Sequence, residues 1–170
     1  MSSGRGEDSG AVIDFETAHG RDWPSVRQFN VFVANRLGGL ANVVRQFENS
    51  DIRIVSLTVV DSADCAIIRL VLSDPERALE IFNLAKLPVT ESDLLVVQLP
   101  EGQHPLLAIC KAMLAAEINI NYAYPLLVGP HGKAALALHV ENHEAGAATL
   151  QQKGFVLFTE NDLNDEGELE

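Results

Sequence analysis

The spacing of apolar residues changes several times along the chain, and each change predicts an element of secondary structure. Residues 29–33 alternate in hydrophobicity and are rich in strand-forming types, which predicts a strand. Apolar residues at i, i+3, i+4 and i+7 within 40–47 predict a helix. Two strands are predicted over 52–60 and 65–72, and an Asp-Pro pair then starts a second helix. A fourth strand begins at Val89, so the predicted order is β-α-β-β-α-β.

The same order of six elements recurs in the second half of the chain. An offset of 66 residues aligns apolar positions with apolar positions. The matched pairs are Leu40 with Leu106, Val43 with Ile109, Phe47 with Met113, Ile52 with Ile118, and Ile54 with Ile120. We therefore predict an internal duplication. Residues 89–100 are expected to run from the last strand of one half directly into the first strand of the other. Because few residues are left for a linker, the halves should pack rigidly.

This order predicts an α+β fold made of two ferredoxin-like βαββαβ domains. Each domain would be a four-stranded antiparallel sheet with both helices on one face, which leaves the other face in need of cover. The predicted divisions are a polar, disordered leader over 1–25, a first domain over 26–93, a second domain over 94–160 and an acidic tail over 161–170. The last eleven residues carry six acids and no base, so we expect this end to be solvated and mobile.

Charge and composition exclude several classes of function. The chain has a net charge of −12, which repels phosphate backbones, so nucleic-acid binding is not expected. No apolar run is long enough to span a membrane, and the N-terminus does not resemble a secretory signal, so a cytoplasmic location is expected. The two cysteines, Cys65 and Cys110, stand far apart and are expected to be buried free thiols rather than a disulfide or metal pair.

No arrangement of residues indicates catalysis, a cofactor or a metal. The sequence lacks a Ser-His-Asp order, an HExxH motif and a phosphate-binding Walker loop. His139 and His143 are four residues apart, but one ends a predicted strand and the other begins a predicted helix, so they do not share a helix face. A metal site needs three or four convergent ligands. We therefore expect a protein that is not an enzyme and holds no metal or cofactor.

Two short motifs resemble those of the ACT family of small-molecule-binding regulatory domains. Residues 33–41 read Val-Ala-Asn-Arg-Leu-Gly-Gly-Leu-Ala, similar to the family's strand, Asn/Asp-x-Pro-Gly-x-Leu and helix. Residues 116–120 read Ala-Glu-Ile-Asn-Ile, similar to the family's small-Ile-Asn-Ile ending. The resemblance covers about 27–163 and implies a ligand site, commonly for an amino acid, at the loop between the first strand and first helix. That loop is expected to face the second strand of a neighbouring domain.

The resemblance therefore selects one set of candidate ligand-binding residues. A glycine at the start of a helix lets backbone N–H groups approach a carboxylate, and the helix terminus adds partial positive charge. The candidates are Asn35, Arg36, Leu37, Gly38, Gly39, Leu40, Gln103, His104, Asn119 and Asn121.

The sequence departs from the family pattern differently in its two halves. In the first half Leu37 replaces the proline, while Gly38 keeps the glycine. In the second half Gln103 and His104 stand at these two positions, and a side chain at His104 disfavours a positive φ. The second loop therefore binds differently, does not bind, or uses the His104 side chain instead.

Several candidates also have a structural interpretation. Asn35 contacts a ligand or caps the turn through its own side chain. Arg36 pairs with a carboxylate or is simply exposed. Asn119 and Asn121, on one face of a predicted strand, meet a ligand at an interface or are ordinary surface residues.

Three functional hypotheses remain open at this point. The favoured one is an amino-acid-binding regulatory protein that forms a homodimer through its open sheet face or edge strands. The second is a regulatory or interaction subunit that docks on an amino-acid biosynthetic enzyme, with ligand binding secondary or lost. The third, an enzyme, needs a catalytic group that the sequence pattern does not show.

Overall fold

The computed structural model describes residues 23–164, and these follow the predicted order of elements. The first half contains β1 (Val26–Ala34), α1 (Gly39–Arg45), β2 (Ile54–Asp61), β3 (Cys65–Leu72), α2 (Pro75–Leu84) and β4 (Val89–Gln98). The second half contains α3 (Pro105–Ala115), β5 (Ile120–Pro125), a 3₁₀ turn (Pro130–Gly132), β6 (Ala135–Val140), α4 (His143–Gln152), β7 (Leu157–Phe158) and α5 (Glu160–Asn164).

Strand β4 belongs to both domains. Its residues 89–94 pair with β1 and its residues 95–98 pair with β6, antiparallel in both cases. The first domain has the strand order β2-β3-β1-β4, and the second has β5-β6-β4-β7. The two orders are the same when β4 is counted as the last strand of one domain and the first strand of the other. The predicted ferredoxin-like α+β fold is therefore confirmed, as is the direct run from one half into the other.

The second strands of both domains carry a β-bulge at equivalent positions. In β2 the register shifts between Ile54 and Ser56, and in β5 it shifts between Ile120 and Tyr122. These positions obey the 66-residue offset. A bulge changes which face of the sheet the following residues occupy. The bulges at matching positions are a structural sign of the predicted duplication, which the pattern of apolar residues did not reveal.

The helices of each domain cover the outer face of its own sheet. In the first domain, the Phe82 ring of α2 lies 5.4 Å from that of Phe29 and 5.2 Å from that of Phe47, centroid to centroid. In the second domain, Ile109 of α3 and Leu150 of α4 are fully buried in the equivalent core. Each domain therefore has its own helix-on-sheet core.

The helix-free faces of the two sheets pack against each other. Val55 and Val71 of the first sheet share one buried cluster with Tyr124, Ala137 and Phe158 of the second. Two short bonds join β2 and the end of β5: the backbone N–H of Leu127 donates to the Val55 carbonyl (2.8 Å), and the Ser56 hydroxyl donates to the Pro125 carbonyl (2.6 Å). The sheet face that we expected to lie open for a second copy is thus covered within the chain, because the duplication supplies a matching face.

The acidic end is more ordered than its charge predicts. Residues Glu160–Asn164 form α5, and Leu163 is buried between the sheets. The Glu160 carboxylate accepts two bonds from the Arg27 guanidinium, at 2.9 and 3.1 Å, and its hydrogen bond raises the pKa of Arg27. The expectation of a solvated end from Glu160 onward was therefore wrong for these residues, because the partner of Glu160 lies far away in sequence. The leader before Trp23 and the tail after Asn164 lie outside the described residues.

The apolar stripes predicted for α1 and α3 are rotated in the structure. Val43 and Phe47 are buried as expected, but Val44 at 37% and Leu40 at 41% remain exposed. The equivalent α3 positions behave alike, so Cys110 is exposed rather than buried, and Cys65 is partly exposed. The spacing of apolar residues shows how wide the apolar face of a helix is. Which part of that face becomes buried depends on where the sheet lies.

Neither a membrane span nor a metal cluster is found in the described part of the chain. The longest helix within 23–164 is α3, with 11 residues, and no helix there is long and apolar enough to cross a membrane. No group of three or more potential metal ligands occurs among those residues.

Replacing Phe82 with alanine should destabilise the protein by about 3–5 kcal/mol, because it opens a cavity between the Phe29 and Phe47 rings. The measurement is urea unfolding followed by circular dichroism. Leu84→Ala on the same helix is the control, since that side chain is 84% exposed and its loss should change the free energy of unfolding by less than about 0.5 kcal/mol. Equal effects of the two substitutions would contradict the assigned core.

Candidate functional site

The first loop, residues 35–38, turns tightly between β1 and α1. Gly38 is the residue before the helix and has a φ of 85°, in the left-handed region that favours glycine. Its carbonyl accepts a bond from the Asn42 N–H at 2.9 Å, which closes the first turn of α1. A Cβ on Gly38 would meet nothing within 4 Å, so the space above this backbone is open. The glycine is therefore required by the turn and also leaves room for a ligand.

Asn35 holds the first loop against the β2–β3 turn. Its side-chain amide donates to the Asp61 carboxylate at 2.7 Å and to the Ser62 carbonyl at 3.2 Å. The sequence left two roles open for Asn35, contact with a ligand or a cap on its own turn. The structure shows a structural role, but its hydrogen bonds go to the turn between β2 and β3. Both amide hydrogens are occupied, so Asn35 positions the loop.

Two clefts flank the first loop. The Leu87 cleft has a volume of about 560 Å³ and the Val59 cleft a volume of about 550 Å³. The Leu87 cleft is lined by Phe32, Val33, Ala34, Arg36, Leu37, Gly38, Gly39, Asn42 and Leu87. The Val59 cleft is lined by Val33, Ala34, Asn35, Arg36, Gly38, Gly39, Leu40, Ala41, Val44, Val59, Ala66 and Ile68. Both volumes lie in the range typical of small-molecule sites.

Among residues 23–164, Arg36 is the one ionisable residue that lines the two clefts, and it lines both. The chain has 24 acidic residues and 12 basic ones, yet no carboxylate of those described residues contributes to either lining. The carboxylate of Asp61 accepts a hydrogen bond from Asn35, which lines the Val59 cleft. The clefts therefore favour an anionic group in a protein whose overall charge repels anions.

The second loop differs from the first in backbone conformation. Gln103 and His104 are exposed, and neither lines the Leu87 or Val59 cleft. His104, which precedes α3, has a φ of −131°, while the positive φ of 132° occurs at Gly102. The side chain at His104 thus excludes the turn used at Gly38, and the two loops are not equivalent, as the sequence indicated.

Asn119 and Asn121 lie apart from both clefts, at the edge strand β5. The Asn119 amide donates to the Asn121 side-chain oxygen at 3.0 Å, and the Asn121 amide lies 3.0 Å from Nδ1 of His139. Both asparagines are exposed. All cleft-lining residues belong to the first domain, so a contribution from β5 to this site requires the β5 of a second copy.

A polar cluster between the two sheets was missed by the sequence analysis. Gln28 is 0% exposed and Asn30 is 8% exposed, on the helix-free face of β1. The Gln28 amide donates to the Asn30 side-chain oxygen (2.6 Å) and to the Tyr122 hydroxyl (2.8 Å), while the Tyr124 hydroxyl donates to the Gln28 oxygen (2.7 Å). Two polar residues alternating along an otherwise apolar strand were the available signal.

Arg69, Tyr122 and His139 stack at the edge of this cluster. The Arg69 guanidinium lies 3.7 Å from the Tyr122 ring centroid, and the His139 ring lies 4.7 Å from it at an interplanar angle of 6°. Burial, followed by the charge of Arg69, lowers the pKa of His139. Burial raises the pKa of Tyr124. The neutral imidazole accepts the Asn121 amide at Nδ1, so protonation would remove that acceptor.

Gly38 and Gly39 should respond oppositely to alanine. Gly38→Ala places a side chain at φ 85° and should cost about 1 kcal/mol of unfolding free energy. Gly39 begins α1, and a Cβ there makes only ordinary contacts at 3.5 Å or more, so Gly39→Ala should be neutral or stabilising by up to about 1 kcal/mol. Thermal and urea unfolding of both variants measures the difference, and equal destabilisation would contradict the loop geometry.

Acidification should destabilise the protein through His139. Its pKa is lowered below the ordinary 6.5, so the unfolded chain binds the proton first and stability falls as the pH drops below about 6.5. His139→Gln should remove its share of this dependence, measured by urea unfolding from pH 8 to pH 5, while the remainder comes from His143, whose pKa is also lowered by burial. His104→Gln, at an exposed site, is the control and should leave the profile unchanged; a profile unaffected by His139→Gln would contradict the assignment.

Comparison with known proteins agrees with this architecture. A protein from Bacteroides thetaiotaomicron has the same fold, with a TM-score of 0.75 at 22% identity over 84% of this chain and 97% of that one. The ligand-free regulatory subunit of aspartate kinase from Thermus thermophilus gives a TM-score of 0.51 at 12% identity, over 76% of this chain and 93% of that one. No curated protein matches the sequence at a significant level.

A family model described as an ACT domain pair matches residues 24–166. The match spans both βαββαβ units, the shared strand and the first loop. The chain therefore belongs to the family of ACT domain pairs, whose domains are regulatory.

Proposed function

We propose that this chain is a cytoplasmic regulatory protein, not an enzyme, that binds an amino acid at the first loop. The observation that carries the proposal is the pair of clefts that meet at this loop, with Arg36 lining both and no carboxylate of the described residues in either lining. The family membership supports a regulatory role. Arg36 and Gly38 are the residues on which binding should depend most.

The clefts suit the carboxylate of an amino acid for two physical reasons. The Arg36 guanidinium can donate two parallel hydrogen bonds to a carboxylate, which is the strongest arrangement available to a side chain here. Gly38 has no side chain, so the loop backbone can approach the ligand closely. The ammonium group would donate hydrogen bonds to backbone carbonyls of the loop, each of which can accept two bonds.

We further propose that the site is completed at an interface with a second copy of the chain. Leu37, beside Arg36, is fully exposed, and Leu40 is 41% exposed. Exposed leucines around a cleft are suited to an interface that also encloses the ligand. In this arrangement Asn119 and Asn121 of the second copy are the polar groups that would meet the ligand, and Gln103 and His104 form a second, different site or none.

Isothermal titration calorimetry of the full chain against the twenty common amino acids tests the proposal. At least one should bind, and Arg36→Gln should weaken that binding roughly tenfold or more, because it removes a charge-assisted bond. Arg45→Gln is the matched control, since Arg45 is the last residue of α1, the helix that follows the loop, and lines neither cleft. Absence of heat with every amino acid would contradict the proposal, as would equal effects of the two substitutions.

A second candidate function is that of a subunit that docks on an amino-acid biosynthetic enzyme. Its supporting observation is the exposed apolar face of α3, where Leu106 is 53%, Leu107 49% and Leu114 77% exposed. The Thermus thermophilus neighbour is itself named a regulatory subunit, although that likeness concerns the fold. Affinity purification from the native cell separates the two candidates: this one predicts a stable enzyme partner that Leu114→Glu releases, and the first predicts none.

A further inference from the structure

We infer that the ligand of the Val59 cleft is a carboxylate that carries a branched aliphatic chain. The inference rests on the proposed function, because it concerns the same loop, and it adds the chemical class of the ligand. It is drawn from the lining of the Val59 cleft, from the position of Arg36 and from the side chains that are already engaged elsewhere.

The Val59 cleft has apolar walls along its whole length beyond the first loop. It opens between α1 and the edge strand β2, where Val44 is 37% exposed and Val59 is 45% exposed. Ile68, at 1% exposed, and Ala66, at 8%, form its floor. The Val44 and Val59 side chains are partly uncovered, so an aliphatic group placed against them removes apolar surface from water on both sides.

The same lining disfavours a ligand with a polar or charged side chain. Asn35 and Arg36 are the polar residues of the cleft, and the Asn35 amide is occupied by Asp61 and Ser62. Arg36 is left for a carboxylate. A second carboxylate or amide oxygen of the ligand would lose water without gaining a donor, and a second ammonium group would be repelled by the charge of Arg36, so each costs free energy.

The lining of the cleft combines one cation, Arg36, with aliphatic side chains. An anionic head and an apolar branched tail match this composition. The volume of about 550 Å³ exceeds that of such a molecule, so the aliphatic lining at Val44 and Val59, rather than the size of the space, favours the tail. No aromatic ring of the described residues lines this cleft, so they offer no stacking partner for an aromatic ligand.

Two sources share this chemistry: the branched-chain amino acids and the corresponding 2-oxo acids. Within 23–164 no carboxylate lines the cleft to pair with an ammonium group. The Ala34 and Arg36 carbonyls already accept loop N–H groups, at 2.8 and 3.2 Å, and each has one further lone pair. The carboxylate and the aliphatic tail are therefore the recognised parts, and the substituent at the second carbon decides only which source binds more tightly.

Calorimetry with the full chain tests this class against its neighbours. We expect binding of L-leucine, L-isoleucine or L-valine, or of the three matching 2-oxo acids, and no binding of L-glutamate, L-lysine or L-phenylalanine at the same concentration. Isopentylamine, which keeps a branched tail but lacks the carboxylate, should not bind. Binding by either source, or by both, supports the inferred class and identifies the source.

A matched pair of substitutions locates the tail. Val59→Ser should weaken the branched ligand roughly fivefold by removing apolar contact, and Val156→Ser should leave it unchanged. The two valines are similarly exposed, at 45% and 49%, but Val156 lies in the second domain, outside the cleft. Circular dichroism of both variants checks that they fold.

The outcomes separate this inference from the proposed function. If a polar amino acid binds and Arg36→Gln abolishes its binding, while Val59→Ser has no effect, the site stands and the aliphatic class is overturned. If no compound binds, or Arg36→Gln is without effect, the proposed function fails as well. If Val59→Ser instead weakens self-association in sedimentation and no compound binds, a second copy occupies the cleft and the inference is overturned.

Discussion

The packing of the two helix-free sheet faces against each other is the constraint on which the rest of the structure depends. A four-stranded βαββαβ sheet buries only one face with its own helices. Here the second face is buried by an equivalent face of the same chain, and β4 runs through both sheets. The shared strand leaves no linker in which the domains could hinge, so the domain pair behaves as one body.

The interface between the sheets contains polar residues that give it a definite register. Gln28 and Asn30 are buried, and their amides are used by each other, by Tyr122 and Tyr124, and by the hydroxyls of Thr90 and Ser92. An apolar interface tolerates sliding, whereas a buried amide that loses its partner costs free energy. At the edge of this cluster, His139 stacks on Tyr122.

This packing also decides where a ligand site can lie. With the inner faces buried, the first loop and the exposed edge of α1 remain on the outside, and the two clefts form there. The duplicated chain has diverged at this level: Gly38 keeps the positive φ, while His104 does not. The tandem therefore combines near-identical topology with two unlike loops.

Much of this fold was readable from local pattern. The order of elements, the offset of 66 residues, the run of β4 through both halves and the special place of Gly38 all follow from spacing and residue type, because hydrophobic period and backbone conformation are properties of neighbouring residues. Local pattern did not show three other features. These are the exposure of Leu40 and Val44 on α1, the formation of helix α5, and the burial of the Gln28 and Asn30 amides. Each depends on a partner distant in sequence, such as Arg27 for Glu160.

The amino-acid sequence by itself determined the duplicated α+β topology and the inequivalence of the two loops. The tertiary structure alone decided that the open sheet faces cover each other, that Asn35 is engaged with Asp61, and that Arg36 lines two clefts to which no other ionisable residue of the described part contributes. The physical reason is that hydrophobic periodicity shows which side of a helix or strand is apolar, but it does not show which other part of the chain packs against that side. The surroundings of a charged side chain are set by the packing of whole domains.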